Sequence, residues 1–169
     1  MRLDADWLTA PATVAVMDAL EAGGGRAWFV GGCVRDGLLG RAGGDIDIAT
    51  DATPSRVSEL AGAARLRCVP TGEAHGTVTL VSGGHPFEVT TLRRDVETHG
   101  RHATVAFTDR LEEDAHRRDF TMNALYAAPD GALVDPLGGL PDLRAGRVRF
   151  IGDPHARIAE DYLRVLRFF

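Results

Sequence analysis

Two aspartates separated by one residue, Asp45 and Asp47, are candidate ligands for a metal ion. They lie in residues 44–50, where apolar and polar side chains alternate as they do in a β-strand. A strand would place both carboxylates on one face, and Ile46 and Ile48 on the other. Carboxylates at this spacing suit Mg²⁺, which takes one or two of them and completes its shell with water and phosphate oxygens. The same pair is also compatible with a solvated strand face.

A phosphate-binding turn is expected shortly before this strand. Residues 26–30 form a short apolar run, followed by Gly31 and Gly32, which open a predicted helical turn. Glycine permits close approach to the backbone, and a helix N-terminus offers free N–H groups to a phosphate. Arg35 could reach such a phosphate. An ordinary strand-to-helix turn, with Arg35 paired to Asp36 on the surface, would leave the same pattern.

The composition excludes several kinds of chemistry. All 19 basic residues among the 169 are arginine, which excludes both a P-loop lysine and a lysine nucleophile. The net charge of −5 is a poor match to a domain that mainly grips nucleic acid. We see no signal peptide, and no stretch approaches the roughly 18 apolar residues of a membrane span. The length of 169 residues allows one domain with a proper core. The two cysteines are too few for a disulfide framework and lack zinc spacing, so we expect an intracellular, cytoplasmic protein, and without a membrane span we expect no membrane contact.

Helices and strands are predicted around these residues without strict alternation, which favours an α/β domain with a mixed sheet. Predicted helices lie at 11–21, at 54–60 with Thr53 as N-cap, and over most of 117–126. Predicted strands lie at 65–69, 77–81, 87–92, 133–134 and 147–151, with a hairpin turn at 82–85. The polar segment 93–109 has Gly100 near its middle and is predicted to be a mobile loop.

The last residues carry a separate helical pattern. Asp153 and Pro154 are favourable residues for the start of a helix. Apolar residues then recur at spacings that place them on one helix face: Ile158, Tyr162, Val165, Leu166 and Phe169. Because this stripe ends without a C-cap or a partner, we expect the chain to be a fragment of a longer protein.

Taken together, these motifs resemble those of a known enzyme superfamily. Residues 31–36, Gly40 and the Asp45–Asp47 pair are similar to the signature of the nucleotidyltransferases that include DNA polymerase β. Further segments, in the same order, narrow the resemblance to the class II tRNA nucleotidyltransferases (CCA-adding enzymes) and the bacterial poly(A) polymerases: 72–77, 87–93, 117–123 and 160–164. The resemblance runs from about residue 27 to residue 169.

The resemblance implies a DNA polymerase β-like α/β head with a mixed sheet over residues 1–138. A connector and the first helix of an all-α neck would occupy residues 139–169. Two Mg²⁺ ions would be bound by Asp45 and Asp47, with Glu88 as a third catalytic carboxylate. The nucleotide would be bound by a larger set of residues: Gly31, Gly32, Arg35, Arg118, Asp119, Asp161, Arg164 and Arg167.

The implied activity is template-independent addition of CMP and AMP, from CTP and ATP, to the 3′ end of tRNA. Asp161 and Arg164 would share one side of the final helix, as a base-reading pair or as a surface ion pair. Cytosine and adenine both present an exocyclic amine, which suits the carboxylate, beside a ring-nitrogen acceptor, which suits the guanidinium. Uracil and guanine present a carbonyl beside an N–H, so both contacts would be mismatched. The tRNA-gripping surface would lie mainly in a missing C-terminal part.

Three alternatives remain open: a poly(A) polymerase, an A-only tRNA nucleotidyltransferase, and a non-catalytic RNA-binding module. A poly(A) polymerase is expected to be more basic than this chain is at residues 70–76. An A-only enzyme is expected to lack the complete loop seen at 94–102. A non-catalytic module has no reason to keep three carboxylates that repel one another. The six histidines are scattered, and none is assigned a catalytic role.

Overall fold

The computed structural model describes residues 1–41, 43–99 and 102–169, and most of its strands belong to one mixed sheet. The described strands are β1 (Ala27–Val30), β2 (Asp47–Thr50), β3 (Arg67–Gly72), β4 (Thr77–Ser82), β5 (His85–Thr91), β6 (Arg93–His99), β7 (His102–Phe107), β8 (Tyr126–Ala127) and β9 (Leu133–Val134). All except β6 and β7 form the sheet, in the order β3-β4-β5-β2-β1-β8-β9. β2 and β5 run parallel and the other neighbours antiparallel, so the predicted mixed sheet is confirmed.

The helices are short, and those near the N-terminus follow the sequence pattern closely. They are α1 (Pro11–Glu21), α2 (Gly32–Leu38), α3 (Pro54–Ala63), α4 (Leu111–His116), α5 (Leu140–Arg144), α6 (Pro154–Glu160) and α7 (Leu163–Phe168). Thr53 caps α3 as predicted, because its hydroxyl accepts a hydrogen bond from the amide of Arg56. Of the helices described, none is long and apolar enough to cross a membrane.

Both faces of the sheet are covered, and successive side chains of a strand pack into the clusters on opposite faces. On β1, Phe29 belongs to one buried cluster, together with residues of α1 and α3, while Trp28 and Val30 belong to the cluster on the opposite face. Leu143 of α5 and Ile151 also lie in these clusters. The rigid sheet therefore sets the positions of the residues at the ends of β1, β2 and β5.

The strand that carries the aspartate pair is shorter than predicted. β2 begins at Asp47, so Asp45 lies in the exposed segment before the strand and not on it. Ile46 and Ile48 nevertheless pack into the same cluster, as the alternation requires. The three consecutive buried residues after Asp47, ending at Thr50, show where the sheet interior begins.

The segment predicted to be a mobile loop is a regular hairpin. β6 and β7 pair antiparallel from Arg93 opposite Phe107 to His99 opposite His102, with one irregularity between Asp95 and Glu97. The residues of this hairpin are mostly polar, so no alternation of apolar and polar residues marked them as strands. Gly100, which was expected to lie in mid-loop, is outside the described residues.

Residues 117–126 are not mostly helical, and 147–151 is not a strand. The backbone of this region pairs across the chain: the Thr121 amide bonds to the Arg149 carbonyl, and the Ile151 amide bonds to the Asp119 carbonyl. Only a short 3₁₀ turn, Thr121–Asn123, remains of the expected helix. These long-range bonds satisfy the backbone groups that a helix would have paired internally.

The single helix predicted after Asp153 is broken in two. The Asp153 carboxylate caps α6 as predicted, by accepting a hydrogen bond from the Ala156 amide at 2.9 Å. Asp161 then adopts an extended conformation, with φ −150° and ψ 105°, and its carboxylate accepts the Leu163 amide at 3.0 Å. An aspartate can compete in this way with helical hydrogen bonding. The apolar stripe is therefore interrupted: Ile158 lies in α6, Val165 and Leu166 lie in α7, and Tyr162 and Phe169 lie outside both helices.

Candidate active site

Two carboxylates lie side by side at the start of the parallel strand pair. Asp47, the first residue of β2, is the register partner of Glu88 on β5. Asp47 is half-buried, and this burial, reinforced by the charges of Glu88 and Asp45, raises the pKa of its carboxyl to about 6, although Arg118 acts in the opposite direction. A half-buried carboxylate close to two exposed ones is an unfavourable arrangement that a bound cation would relieve.

Gly31 provides an open turn next to this carboxylate. It follows β1 directly and has φ 75° and ψ −130°, a conformation in which side chains are rarely tolerated. A Cβ atom at this position would lie 3.7 Å from Nη1 of Arg118 and 3.9 Å from Oδ2 of Asp47. The space above Gly31 is therefore bounded by a cation on one side and a carboxylate on the other.

The Arg118 guanidinium is held by two buried side chains, Asp114 and Tyr126. Its Nη2 and Nε donate to Oδ2 of Asp114 at 2.9 and 3.2 Å, and its Nε also lies 3.2 Å from the hydroxyl of Tyr126. The guanidinium carbon sits 5.4 Å from the centre of the Tyr126 ring. Burial disfavours the charge of Arg118, but Tyr126 and Asp114 outweigh it and raise the pKa, so the guanidinium is permanently charged.

A second polar network connects Arg35 with Asp119. Arg35 forms a bidentate pair with Asp36 at 2.8 and 2.9 Å, and its Nη1 donates to the side-chain oxygen of Asn123 at 2.9 Å. The Asn123 amide then donates to Asp119 at 3.0 Å, and Arg167 reaches the other oxygen of Asp119 at 3.1 Å. Burial would raise the pKa of Asp119, but the hydrogen bonds from Asn123 and the neighbouring amide lower it, so the group is ionised.

The structure thus brings most of the predicted residues into two adjoining groups. Asp47 and Arg118 lie around Gly31, and Glu88 lies opposite Asp47 on the neighbouring strand. Beside them, Gly32 opens α2, where a Cβ would lie 3.8 Å from Nη2 of Arg35. Through Asn123, Arg35 is joined to Asp119 and Arg167.

The predicted base-reading pair does not share one helix face. Arg164 lies in α7, where its Nη1 donates to Glu160 and to the Arg157 carbonyl at 2.7 and 2.8 Å. Asp161 lies at the break between the helices, where its carboxylate accepts the amide of Leu163, the first residue of α7. The expectation that both residues lie on one side of a single helix is therefore wrong, because the helix is interrupted at Asp161 itself.

Sequence reasoning gave no role to three residues that organise this site: Asp114, Asn123 and Tyr126. Asn123 lies within one of the family motifs, but no role was assigned to it. Asp114 follows two other acidic residues and looks like part of a solvated charged run. Only the fold shows that it is 1% exposed.

The donor set suits a hard divalent cation. Asp45, Asp47 and Glu88 offer only carboxylate oxygens, the ligands that Mg²⁺ prefers, and two of them are adjacent across the parallel strands. Within the described part of the chain, no group of three or more histidines, cysteines or carboxylates is close enough to hold a metal ion by itself. Mg²⁺ commonly takes only one or two carboxylates and completes its shell with substrate phosphates, so the residues fit.

A mixed sheet with this order, and with carboxylates at the start of its parallel pair, is the fold of the DNA polymerase β-like nucleotidyltransferases. The family model for the poly(A) polymerase head domain matches residues 27–149, and the chain belongs to this family.

Several characterised proteins are similar to the chain. The human mitochondrial CCA tRNA nucleotidyltransferase 1 is 49% identical over 142 residues, which cover 83% of this chain and 33% of the relative. The CCA-adding enzyme of Anoxybacillus flavithermus is 44% identical over 156 residues, 91% of this chain and 38% of the relative. The chain thus spans about a third of the length of the curated relatives it matches.

Solved structures agree with the sequence relatives. The CCA-adding enzyme of Bacillus stearothermophilus in complex with CTP matches with a TM-score of 0.82 and 40% identity, covering 93% of this chain and 37% of that one. A tRNA nucleotidyltransferase complexed with a primer tRNA and an incoming ATP analogue matches with a TM-score of 0.72 and 33% identity, covering 90% and 43%.

Proposed function

We propose that the chain is the catalytic head of a tRNA nucleotidyltransferase that adds CMP and AMP, from CTP and ATP, to the 3′ end of tRNA. The observation that carries the proposal is the pairing of Asp47 with Glu88 beside the open turn at Gly31, with Arg118 facing the same space. The names of the relatives support the substrate class, since similar proteins are CCA-adding enzymes and are seen with CTP, an ATP analogue and tRNA.

In this proposal two Mg²⁺ ions are bound by Asp45 and Asp47, with Glu88 as the third carboxylate. Bound there, the ions would activate the 3′-hydroxyl of the tRNA and stabilise the leaving pyrophosphate. Asp45 is exposed and precedes the strand, so it can adjust to a ligand, whereas Asp47 is fixed by the sheet. No covalent nucleophile is required, which agrees with a chain that contains no lysine.

The arginines and glycines would receive the triphosphate. A phosphate over Gly31 would meet the backbone directly, with the charge of Arg118 on one side. Gly32 and Arg35 would extend this surface along α2. Because Asp119 is ionised and joined to Arg35 through Asn123, we place it near the ribose, where a carboxylate can accept a hydroxyl hydrogen bond.

We assign base selection to Asp161, Arg164 and Arg167. Arg167 already bonds to Asp119, which places it at the edge of the nucleotide network. Arg164 would have to exchange its contact with Glu160 for the ring nitrogen of the base. The division into a head at 1–138, and a connector with the start of a helical neck at 139–169, belongs to the same proposal.

The test is nucleotide addition by the full-length protein on tRNA that lacks its 3′ CCA. CTP, ATP, UTP and GTP are supplied separately and in pairs, with Asp47→Asn as the inactive control. We expect CTP and ATP together to complete CCA, and no addition from UTP or GTP. Long adenosine tails would indicate a poly(A) polymerase, addition of A alone an A-only enzyme, and no addition a non-catalytic module; each of these contradicts the proposal.

A further inference from the structure

Asp114 is a fully enclosed carboxylate to which the sequence gave no function. It lies on α4, is 1% exposed, and has cationic or hydroxyl partners around both oxygens. Oδ2 accepts hydrogen bonds from Arg118 and, at 2.7 Å, from the hydroxyl of Tyr126. Oδ1 accepts the Arg93 amide at 3.3 Å and lies 3.5 Å from Nε of Arg117. The arginines and the tyrosine hydroxyl overcome burial and lower the pKa of Asp114, so it is a buried anion.

These contacts use two of the three nitrogens of the Arg118 guanidinium and leave Nη1 to face the turn. Asp114 and Tyr126 together engage its Nε and Nη2, so Nη1 is the group that faces the turn at Gly31. Tyr126 is itself fixed by the sheet, because it is the register partner of Val30, the residue immediately before Gly31. The orientation of the guanidinium is thus tied to the same strand that ends in the turn.

We propose that Asp114 and Tyr126 are positioning residues for nucleotide transfer, which hold Arg118 so that Nη1 meets the incoming triphosphate above Gly31. The inference rests on the proposed function and adds to it. An unsupported arginine would lose side-chain entropy on binding each nucleotide, whereas one already held by two partners has lost it on folding. The contact of Oδ1 with the Arg93 amide also ties the base of the β6–β7 hairpin to this support.

The first test measures the positioning itself by NMR of the arginine side chains. In the wild-type protein we expect the Nε–H of Arg118 to exchange slowly with solvent, because it is buried between two acceptors. Tyr126→Phe removes one hydroxyl and keeps the ring, and should accelerate this exchange. Asp114→Asn should accelerate it further. Unchanged protection in both variants would overturn the proposal, whatever the activity of the protein.

The second test measures KM and kcat for CTP in the full-length protein. We expect Asp114→Asn to raise KM about tenfold and Tyr126→Phe to raise it severalfold, as loss of a charged or neutral hydrogen bond predicts. In an Arg118→Ala background each change should have less than about a twofold further effect, because the support then holds nothing. Effects that persist undiminished in that background would contradict the proposal.

Asp142→Asn is the matched control. Asp142 is also a buried aspartate, 2% exposed, but it bonds to Thr121 and Arg149 away from the turn. The Asp142→Asn variant should have a lower melting temperature and an unchanged KM for CTP. A rise in its KM equal to that of Asp114→Asn would show that Asp114 acts only on stability, which would contradict the proposal. If wild type adds no nucleotide, the proposed function fails, and the NMR result alone then decides the positioning of Arg118.

Discussion

Substitution of Gly31 by alanine tests two properties of the turn: its strained backbone, which affects stability, and the open space above it, which we expect to bind the triphosphate. At φ 75° and ψ −130° a side chain is strained, which should reduce the free energy of unfolding by about 1–3 kcal/mol. The added methyl would lie 3.7 Å from Arg118 and 3.9 Å from Asp47, which are ordinary contacts. The folded site can therefore accept the methyl, but a phosphate cannot occupy the same space.

The expected loss of binding follows from that displaced phosphate. Losing one charged hydrogen bond to Arg118 costs about 1.5–3 kcal/mol, so affinity for magnesium CTP should fall about ten- to a hundredfold. Urea unfolding gives the stability change, and calorimetric titration gives the binding change. Gly24→Ala is the matched control, because Gly24 has φ 77° and no heavy atom within 4 Å of the added methyl.

Gly24→Ala should lose stability and retain CTP binding, whereas Gly31→Ala should lose both. Wild-type affinity in Gly31→Ala would refute the placement of the triphosphate above this turn. A comparable loss of affinity in Gly24→Ala would show instead that binding follows general stability. Either result would remove the geometric argument for the site.

Three further outcomes are expected. The pKa of Asp47 is raised from 3.8 to about 6, so the folded chain without metal holds this proton more tightly than the unfolded chain. Its free energy of unfolding should therefore fall by about 1–2 kcal/mol as pH rises through this window, after allowance for solvent screening. Urea unfolding at several pH values checks this, and Asp47→Asn should lose this pH dependence. We expect the β6–β7 hairpin to serve the switch from C to A addition. Replacing residues 94–106 with a short turn should therefore slow this switch more than the first C addition, and a normal rate of CCA completion would contradict this role. The 169-residue chain alone should bind the four nucleoside triphosphates with similar, low affinity because Arg164 is held by Glu160, and calorimetry showing a clear preference for CTP and ATP would contradict this.

The parts of the site that could be predicted from sequence are those governed by short-range patterns. The strand-to-glycine turn at Gly31 and the N-cap at Thr53 depend on a few adjacent residues, and both were confirmed. The closeness of Glu88 to Asp47 was inferred from resemblance, and the parallel register of β2 and β5 now accounts for it. Asp114 could not be found in this way, because its pairing with Arg117 and Arg118, three and four residues further on, has the spacing of an ordinary surface ion pair. Only the fold adds the Tyr126 hydroxyl and the Arg93 amide and buries the carboxylate.

Errors arose where a side chain competes with the backbone. The apolar stripe predicted one final helix, but the carboxylate of Asp161 accepts the Leu163 amide and ends the first helix there. The apolar periodicity cannot predict this break, because it shows only which residues are apolar and not which side chains bond to the backbone. The hairpin of β6 and β7 was missed because its residues are mostly polar, so no apolar alternation marks its strands.

Binding of metal and nucleotide at this site can be tested by a crystal structure of the protein with Mn²⁺ and a non-hydrolysable CTP analogue, in which anomalous scattering locates the metal. We expect an anomalous peak within about 2.3 Å of a carboxylate oxygen of Asp47. We also expect the triphosphate to lie over Gly31 in contact with Nη1 of Arg118. A nucleotide bound elsewhere, or a metal that does not touch Asp47, would show that the site is wrongly placed.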